Sequence, residues 1–487
     1  MATRDSEYEF VRTLVDIHRQ VVTNYVEDVD EQKLREAAID GLLSRLDPYS
    51  IYVPPAQQEQ FDRAMEGTIR GVGIELHQLE NGQIEVISPI DGSPAFHAGV
   101  LAGDIILKVN GEAIEGERLP DVIKRISGEK GTKVTLTVRH VTGDEEDLTM
   151  ERQDIVVPTI KGFARNADHT WDWYVSDNPK IAYVRITQFT SETHDALRKT
   201  MDQLLAEKMQ GLILDLRFNP GGRLDQAVQV IDMFIDDGRI VSTRGRNRPE
   251  RIIEATVPDT LPYFPLIVLI NEHSASAAEI VAGSLMDNGR ALVIGERSYG
   301  KGSVQEVIPL DGDSGELKLT VAYYYLPSGR LVHRLKDADD WGVEPQIIVP
   351  MDDETERKVL RQRYEQERFQ RPMPKASTRP STKPTSQEVI DTQLQQAVMT
   401  MIGLVVLQGA EAAAPAQPVP PVTTQPAAVV EPDGDAQPPA TAEPAEPAAP
   451  AESDETDEQA VPEDALPEPT TAPATAPATA PDPLPTK

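Results

Sequence analysis

The stretch "PLIVLINEHSASAAEIVAGSLMDN", residues 265–288, joins an apolar run to a helical pattern through a short polar loop. Such an apolar run is typical of a strand that is buried on both faces. Residues 211–235, "GLILDLRFNPGGRLDQAVQVIDMFI", repeat the same design. Buried strands that lead into helices through short loops indicate parallel βα units, so we predict an α/β core.

Outside this core, the pattern of the sequence changes several times. Residues 1–66 show helical spacing that "DPYSIYVPP" interrupts, and residues 67–158 alternate short strands with glycine turns, which predicts a small β-rich domain. The core spans 159–350, and 351–409 form a further helical region. Residues 410–487 are rich in Pro, Ala, Thr and Glu, and we predict that they are disordered because they bury too little apolar surface. This tail is either a spacer or a segment without a selected role.

Composition excludes several classes of function. The chain has 487 residues, enough for two or three folding units, and carries 80 acidic against 47 basic residues for a formal charge of −33. That charge repels nucleic acids and anionic membranes. The absence of cysteine excludes thiol catalysis, disulfides and cysteine-ligated metals, and we predict no metal or other cofactor. No apolar stretch is long enough to span a bilayer.

The segment "GERSYGKGSVQ", residues 295–305, begins like a phosphate-binding loop. Such a loop needs a Ser or Thr after its lysine and then a helix, whereas here Gly302 follows Lys301 and the next residues have a strand pattern. Lys301 therefore needs another role.

Two loops of the core are candidates for an active site, because ligands bind at the carboxyl ends of strands in open α/β sheets. Gly221 and Gly222 lie at one strand-to-helix turn, and Ser276 precedes another helix with the amide of Ala277 beside it. Two convergent amides at helix starts would form an oxyanion hole for an acyl intermediate.

A serine nucleophile needs a base. Of the eight histidines only His273 is near Ser276 in sequence, and its tight turn is a poor place from which to reach the hydroxyl. Lys301 can act instead if burial lowers its pKa. On a strand, Lys301, Ser303 and Gln305 would share one face, so that Gln305 could hold the amine. The residues alone leave open two simpler interpretations, a helix N-cap for the serine and a solvated turn for the lysine.

Several blocks of the sequence resemble the carboxyl-terminal processing serine peptidases, also called tail-specific proteases. They are "DLRFNPGG", "INEHSASAAEIVAGSLMDNGRALVIGERSYGKGSVQ", "LKLTVAYYYLPSGR" and "GVEPQI", and "DPYSIYVPP" fits the same family. "GVGIEL" and "IDGSPAFHAGVLAGDIILKVNGEAI" are similar to its embedded PDZ domain. The resemblance covers about residues 5–350, and more weakly extends to 409. It implies a crotonase-like (ClpP/crotonase-type) α/β peptidase core with an inserted PDZ domain and helical flanks.

The resemblance also assigns roles. Ser276 matches the nucleophile, Lys301 the general base and Gln305 the glutamine that positions the lysine. The amides of Gly222 and Ala277 match the oxyanion hole. Ser274 matches the first serine of the motif, which is not catalytic in the family.

The PDZ segment implies how substrates are selected. The amides of Gly71, Val72, Gly73 and Ile74 would bind the terminal carboxylate of a peptide, which would add as a strand with "LPDVIKRI" as the opposite wall. Without the resemblance, the two glycines fit a plain hairpin or a bulge equally well. In the family this domain also gates the active site.

We therefore expect a serine endopeptidase that binds protein C-termini and cleaves by Ser/Lys acyl transfer. A non-catalytic PDZ-bearing adaptor and a Ser/His hydrolase that uses His273 are the alternatives. The first residues show no signal peptide, which predicts a cytoplasmic chain. The family instead works outside the cytoplasm, in the periplasm or cell envelope, and includes members of signalling pathways. Substrates, an adaptor and the oligomeric state stay open. "RLVHRLKDADDWGVEP" is longer than the usual link between its flanking blocks.

Overall fold

The computed structural model describes residues 2–79, 81–166, 170–367 and 390–413. The chain divides into two compact units, Met1–Ala413 and Ala414–Lys487. The second unit lies outside the described residues, and so does most of the tail for which the sequence predicts disorder. The last helix continues to Ala413, slightly beyond the predicted boundary at 409, because alanine and glutamate there favour a helix.

The first elements are helical, as the spacing of apolar residues predicts, with one short strand among them. They are α1 (Ala2–Asn24), α2 (Glu31–Leu43), β1 (Ile51–Val53) and α3 (Pro55–Glu66). Asp30 caps α2 by accepting hydrogen bonds from the amides of Gln32 and Lys33.

The next region is a small β-rich body with its own apolar core. Its elements are β2 (Thr68–Gly71), β3 (Ile74–Gln78), β4 (Ile84–Pro89), α4 (Pro94–Ala98), β5 (Ile105–Val109), β6 (Glu112–Ala113), α5 (Leu119–Ile126), β7 (Lys133–Arg139), β8 (Glu145–Glu151) and β9 (Gln153–Val156). Its antiparallel sheet has the order β3-β4-β5-β7-β8, with β6 on β5. Strand β3 is therefore an edge strand among the described residues. Separately, β2 pairs with β9 where the chain enters and leaves this region.

The largest body contains the predicted βα units. Its elements are β10 (Ile160–Lys161), β11 (Ala164–Arg165), β12 (Trp171–Asp172), β13 (Tyr174–Asp177), β14 (Lys180–Ile186), α6 (Thr193–Ala206), β15 (Gly211–Asp215), α7 (Leu224–Asp232), β16 (Arg239–Gly245), β17 (Arg248–Glu254), β18 (Leu266–Ile270), α8 (Ala277–Asp287), β19 (Leu292–Gly295), β20 (Ser303–Pro309), β21 (Glu316–Tyr325), β22 (Ile347–Ile348), α9 (Asp353–Glu367) and α10 (Thr392–Ala413). Strands β14, β15, β18, β19 and β22 are parallel neighbours. Every residue of β15 and β18 is buried, as expected for a parallel sheet with both faces covered.

A second sheet joins the N-terminal region to the core. Strand β20 pairs along one edge of β21, while β1 and β16 pair with the two ends of its other edge. The sheet therefore holds the strand that follows Lys301 close to the segment around "DPYSIYVPP".

Helices α9 and α10 are attached to the core by buried charges. Arg217 Nη2 lies 2.7 Å from Asp215 Oδ2, and its Nη1 lies 2.8 Å from Asp391 Oδ1. Arg363 of α9 also contacts Asp215, at 3.0 Å. Burial would raise the pKa of Asp215, but the two guanidinium groups hold it well below its ordinary value. Within the described ranges, no helix has the length and apolar character needed to cross a bilayer.

Candidate active site

Ser276 lies at the sharp turn that precedes α8, and its backbone is held in an unusual conformation. Its φ is 55° and its ψ is −115°, a region that side-chain-bearing residues adopt at a cost of about 1–3 kcal/mol. The amide of Ala275 donates to Asn219 O at 2.9 Å, and the amide of Ser276 donates to Glu279 Oε2 at 2.7 Å. These bonds offset the strain and keep Ser276 at the start of the helix.

Ser274, the rival serine, has a structural environment. Its hydroxyl donates to Leu216 O at 2.8 Å and accepts from the amide of Asn271 at 3.0 Å. Because it is fully buried and holds two chain segments together, its hydroxyl stabilises the turn.

The "NPGG" loop brings backbone amides against the serine turn. Asn219 fixes this loop by donating to Ile186 O and accepting from the amide of Gly221. A Cβ on Gly221 would lie 2.7 Å from the Cβ of Ser276, so only glycine allows this approach. In the described part of the chain, the amides of Gly222 and Ala277 donate to no other group. Both are therefore available to a ligand.

Lys301 precedes β20 and has a partly buried amine. Its Nζ lies 4.7 Å from the centre of the Tyr49 ring. Burial and, to a smaller extent, the nearby Lys318 lower the pKa of Lys301 to about 8, against the opposing effect of the Glu279 carboxylate. A useful fraction of the amine is therefore neutral at neutral pH, as a general base requires.

Glu279 connects the serine turn to the lysine segment. It is fully buried in the first turn of α8. Its Oε2 accepts from the amides of Ser276 at 2.7 Å and of Lys301 at 2.8 Å, while its Oε1 accepts from Gly300 N and Ser298 Oγ. Burial raises the pKa of Glu279, although all four bonds favour the carboxylate. One carboxylate thus fixes the relative position of the two segments.

The sequence did not single out Glu279, although it carried a signal. Ser276 and Glu279 match the S-x-x-E pattern of a capping box, in which the glutamate bonds back to the amide of the first residue. The additional bonds to Gly300 and Lys301 depend on tertiary structure.

No hydrogen bond joins Ser276 Oγ to Lys301 Nζ among the described residues, and no histidine there contacts the Ser276 hydroxyl. His273 faces elsewhere: its Nε2 lies 3.1 Å from Glu356 Oε1, and its ring stacks on Phe218 with centres 5.5 Å apart. The hydrogen bond to Glu356 raises the pKa of His273. His273 is thus paired with α9 and oriented away from a role as base.

Gln305 does not contact Lys301 in this structure. Its Nε2 donates to Ser303 Oγ at 2.8 Å and to Thr320 Oγ1 at 3.3 Å. Ser303 and Gln305 share a face, as the alternation of a strand predicts, but Lys301 lies before the strand begins. The expected direct hydrogen bond between Gln305 and the lysine is absent, and the Gln305 amide donates to Ser303 and Thr320 instead.

The long link between "PSGR" and "GVEP" packs over the lysine turn. A Cβ on Gly302 would lie 2.2 Å from the amide of His333, and one on Gly300 would lie 2.7 Å from the Trp341 ring. Trp341 is itself contacted by the guanidinium of Arg334, 4.3 Å from the ring centre. Because this link approaches so closely, a side chain on either glycine of "GKG" would clash with it.

The predicted peptide-binding loop lies between β2 and β3. Gly71 pairs with β9, Val72 is buried, and Gly73 has a φ of 77°. The carbonyls of Val72 and Gly73 accept from Ala95 N and from Ile90 N respectively. Since a trans peptide points its carbonyl and amide in opposite directions, the amide of Gly73 points away from α4 and the amide of Ile74 points away from Ile90.

One group of side chains in the described part of the chain has the geometry to hold a metal ion: Glu272, His273 and Glu356. Two of the three are exposed, and the ion pairs of His273 with both glutamates account for their proximity.

Models of known protein families match three parts of the chain. A model of peptidase family S41 matches residues 180–349, a PDZ domain model matches 85–140, and a model of the activating protease CtpB N-terminal domain matches 2–56. These matches define a serine peptidase that carries a PDZ domain.

Two similar proteins define the family of this chain more precisely. The chain is 41% identical over 348 residues to a carboxy-terminal-processing protease of Bartonella bacilliformis, covering 70% of this chain and 75% of the relative. It is 33% identical to the carboxy-terminal processing protease CtpA of Bacillus subtilis, covering 72% of this chain and 71% of the relative. The chain belongs to the carboxy-terminal processing proteases of peptidase family S41.

A solved structure, the photosystem II D1 C-terminal processing protease, is 28% identical and covers 69% of this chain and 92% of its own, with a TM-score of 0.38.

Proposed function

We propose that this protein is an endopeptidase that binds the C-terminus of a protein substrate and cleaves upstream by transfer of the acyl group to Ser276, with Lys301 as the general base. The observation that carries the proposal is the common attachment of both segments to Glu279 Oε2. Family membership and the lowered pKa of Lys301 support the same assignment.

In the proposed reaction, Ser276 Oγ attacks the scissile carbonyl while Lys301 Nζ takes the hydroxyl proton. The amides of Gly222 and Ala277 donate to the oxyanion that forms. When the carbon–nitrogen bond breaks, the Lys301 ammonium gives its proton to the leaving amine. Water then attacks the acyl-enzyme while Lys301 takes up a proton from it, and Lys301 returns this proton to Ser276 Oγ as the acyl–oxygen bond breaks. Catalytic hydrogen bonds often close only when substrate is bound, so the absence of a direct Ser276–Lys301 bond is compatible with these roles.

Gln305 has an indirect role in this proposal. Its bonds to Ser303 and Thr320 tie β20 to β21 beside the lysine segment. The glutamine therefore stabilises the strands from which Lys301 extends.

Substrate selection is assigned to the loop of Gly71, Val72, Gly73 and Ile74. Among the described residues, one edge of β3 has no strand partner and is available to a peptide strand. Helix α5 begins beside it, since the amide of Leu119 donates to Gln78 Oε1 at 3.2 Å. The loop amides, among them those of Gly73 and Ile74, would bind the terminal carboxylate.

The finer architecture and location belong to the same proposal. We infer a crotonase-like core, with boundaries between regions at 66, 158, 350 and 409. We also infer an extracytoplasmic location, in the periplasm or cell envelope, and proteolysis within a signalling pathway. Cell fractionation of the host tests the location.

The decisive experiment incubates the wild type, Ser276→Ala and Lys301→Ala with an unfolded protein whose C-terminus is free or amidated. Mass spectrometry should find cleavage by the wild type alone, and markedly less of it with the amidated substrate. Binding of the free C-terminus without cleavage by the wild type would identify the non-catalytic adaptor instead. Full activity of either mutant would end the dyad assignment.

A further inference from the structure

Tyr49, outside the residues so far assigned to the reaction, lies against the amine of Lys301. The centre of its ring is 4.7 Å from Lys301 Nζ, within the distance at which an aromatic face attracts a cation. Tyr49 is only partly exposed and comes from the N-terminal region, far from Lys301 in sequence.

Hydrogen bonds of the Asp47 and Ser50 side chains fix the segment that carries Tyr49. Asp47 Oδ1 accepts from the amides of both Tyr49 and Ser50 at 2.8 Å. Ser50 Oγ donates to Asp47 Oδ2 at 2.9 Å and accepts from the amide of Thr320 on β21 at 3.1 Å. Immediately afterwards β1 pairs with β21. The "DPYS" segment is thus fastened to the sheet that carries the lysine strand.

We propose that Tyr49 is a positioning residue for the general base, and that its ring stabilises the Lys301 ammonium formed when the Ser276 hydroxyl gives up its proton. This inference rests on the proposed Ser/Lys dyad. The face of an aromatic ring attracts a cation but interacts weakly with a neutral amine. The ring therefore favours the product of proton transfer over the resting amine, and fixes the direction of Nζ. As the carbon–nitrogen bond breaks, the same proton passes from Lys301 to the leaving amine.

The other charged groups around the amine do not replace this role. Lys318 on β21 carries the same charge as the ammonium and disfavours it, and Glu279 on α8 favours the ammonium but also binds the amides of both segments. Burial and the neighbouring Tyr299 hydroxyl raise the pKa of Tyr49, so the phenol keeps its proton. Tyr49 therefore contributes its ring and does not compete as a base.

The test compares Tyr49→Leu, Tyr49→Phe and Tyr52→Leu by measuring kcat and KM from pH 5.5 to 10 with an internally quenched peptide that has a free C-terminus. Tyr49→Leu should lower kcat on the alkaline plateau about 2-fold to 30-fold, the range expected for a cation–ring contact. It should also move the midpoint of the pH profile of kcat to lower pH, because the ring no longer stabilises the ammonium, and leave KM nearly unchanged. Tyr49→Phe keeps the ring and should retain the wild-type profile.

Tyr52→Leu is the matched control, since Tyr52 lies in β1 and its hydroxyl donates to Ser314 O at 2.7 Å. It should leave the midpoint in place. An unchanged profile in Tyr49→Leu would overturn the proposal, and so would a loss of kcat that accompanies a lower Tm without moving the midpoint. Lys301→Ala separates the two hypotheses: if it is inactive while Tyr49→Leu has the wild-type profile, the dyad stands and the Tyr49 role fails. If it is fully active, the dyad itself fails.

Discussion

The pH dependence of peptide cleavage should report the protonation of Lys301 directly. With a pKa of about 8, the neutral amine makes up about 1 in 100 of the molecules at pH 6, about 1 in 11 at pH 7 and half at pH 8. A lysine with its ordinary pKa of 10.5 would be neutral in only about 1 in 3,000 molecules at pH 7. Because only the neutral amine accepts the proton, kcat/KM should rise about 50-fold between pH 6 and 8.

The assay is cleavage of the same quenched peptide in constant-ionic-strength buffers, with circular dichroism at each pH to confirm that the protein stays folded. Lys318→Met removes a like charge near the amine, so it should raise the pKa of Lys301 and move the profile to higher pH, whereas Lys318→Arg keeps the charge and should not. A flat profile, or a midpoint of the pH profile that disappears in His273→Ala, would refute the lysine base.

Three further substitutions test the site and its supports. His273→Ala should keep kcat/KM within about 3-fold, because His273 pairs with Glu356 and not with the serine; loss of activity would revive the Ser/His alternative. Glu279→Gln should lower kcat about 10-fold to 100-fold, since it removes charged acceptors from both active-site segments, while Glu356→Gln should not. Arg217→Leu should lower the free energy of unfolding by about 3 kcal/mol in urea titration, because it leaves the buried Asp215 and the partly buried Asp391 to share the single guanidinium of Arg363. The control is Arg223→Leu, at a more exposed ion pair with Asp225, which should change the free energy of unfolding by no more than about 1 kcal/mol. Equal losses of stability in the two variants would contradict the argument.

Local pattern was sufficient to predict the βα units of the core. Strand β18 and helix α8 follow from an apolar run and a helical repeat, both of which are properties of neighbouring residues. Strand β1 was not predicted, because three residues between prolines carry little pattern, and its partner β21 lies more than 250 residues further on. Pairing over such a distance depends on the tertiary fold.

The candidate site also contains some residues that local sequence identified and others that only the tertiary structure reveals. Ser276 and Lys301 stood out because their loops and their family motif are local features of the sequence. Glu279 and Tyr49 did not, since their contacts with Lys301 join separate parts of the chain. We expected Gln305 to contact the lysine because the alternation of a strand was assumed to continue back to Lys301, whereas β20 begins only at Ser303.

Strand β21 connects the N-terminal region to the candidate active site. It is paired with β1 on one edge and with β20 on the other, so a displacement of β1 would be transmitted through β21 to β20, the strand that follows the proposed base Lys301. The pairing of Ile51–Val53 therefore couples the N-terminal region to the strand that follows Lys301.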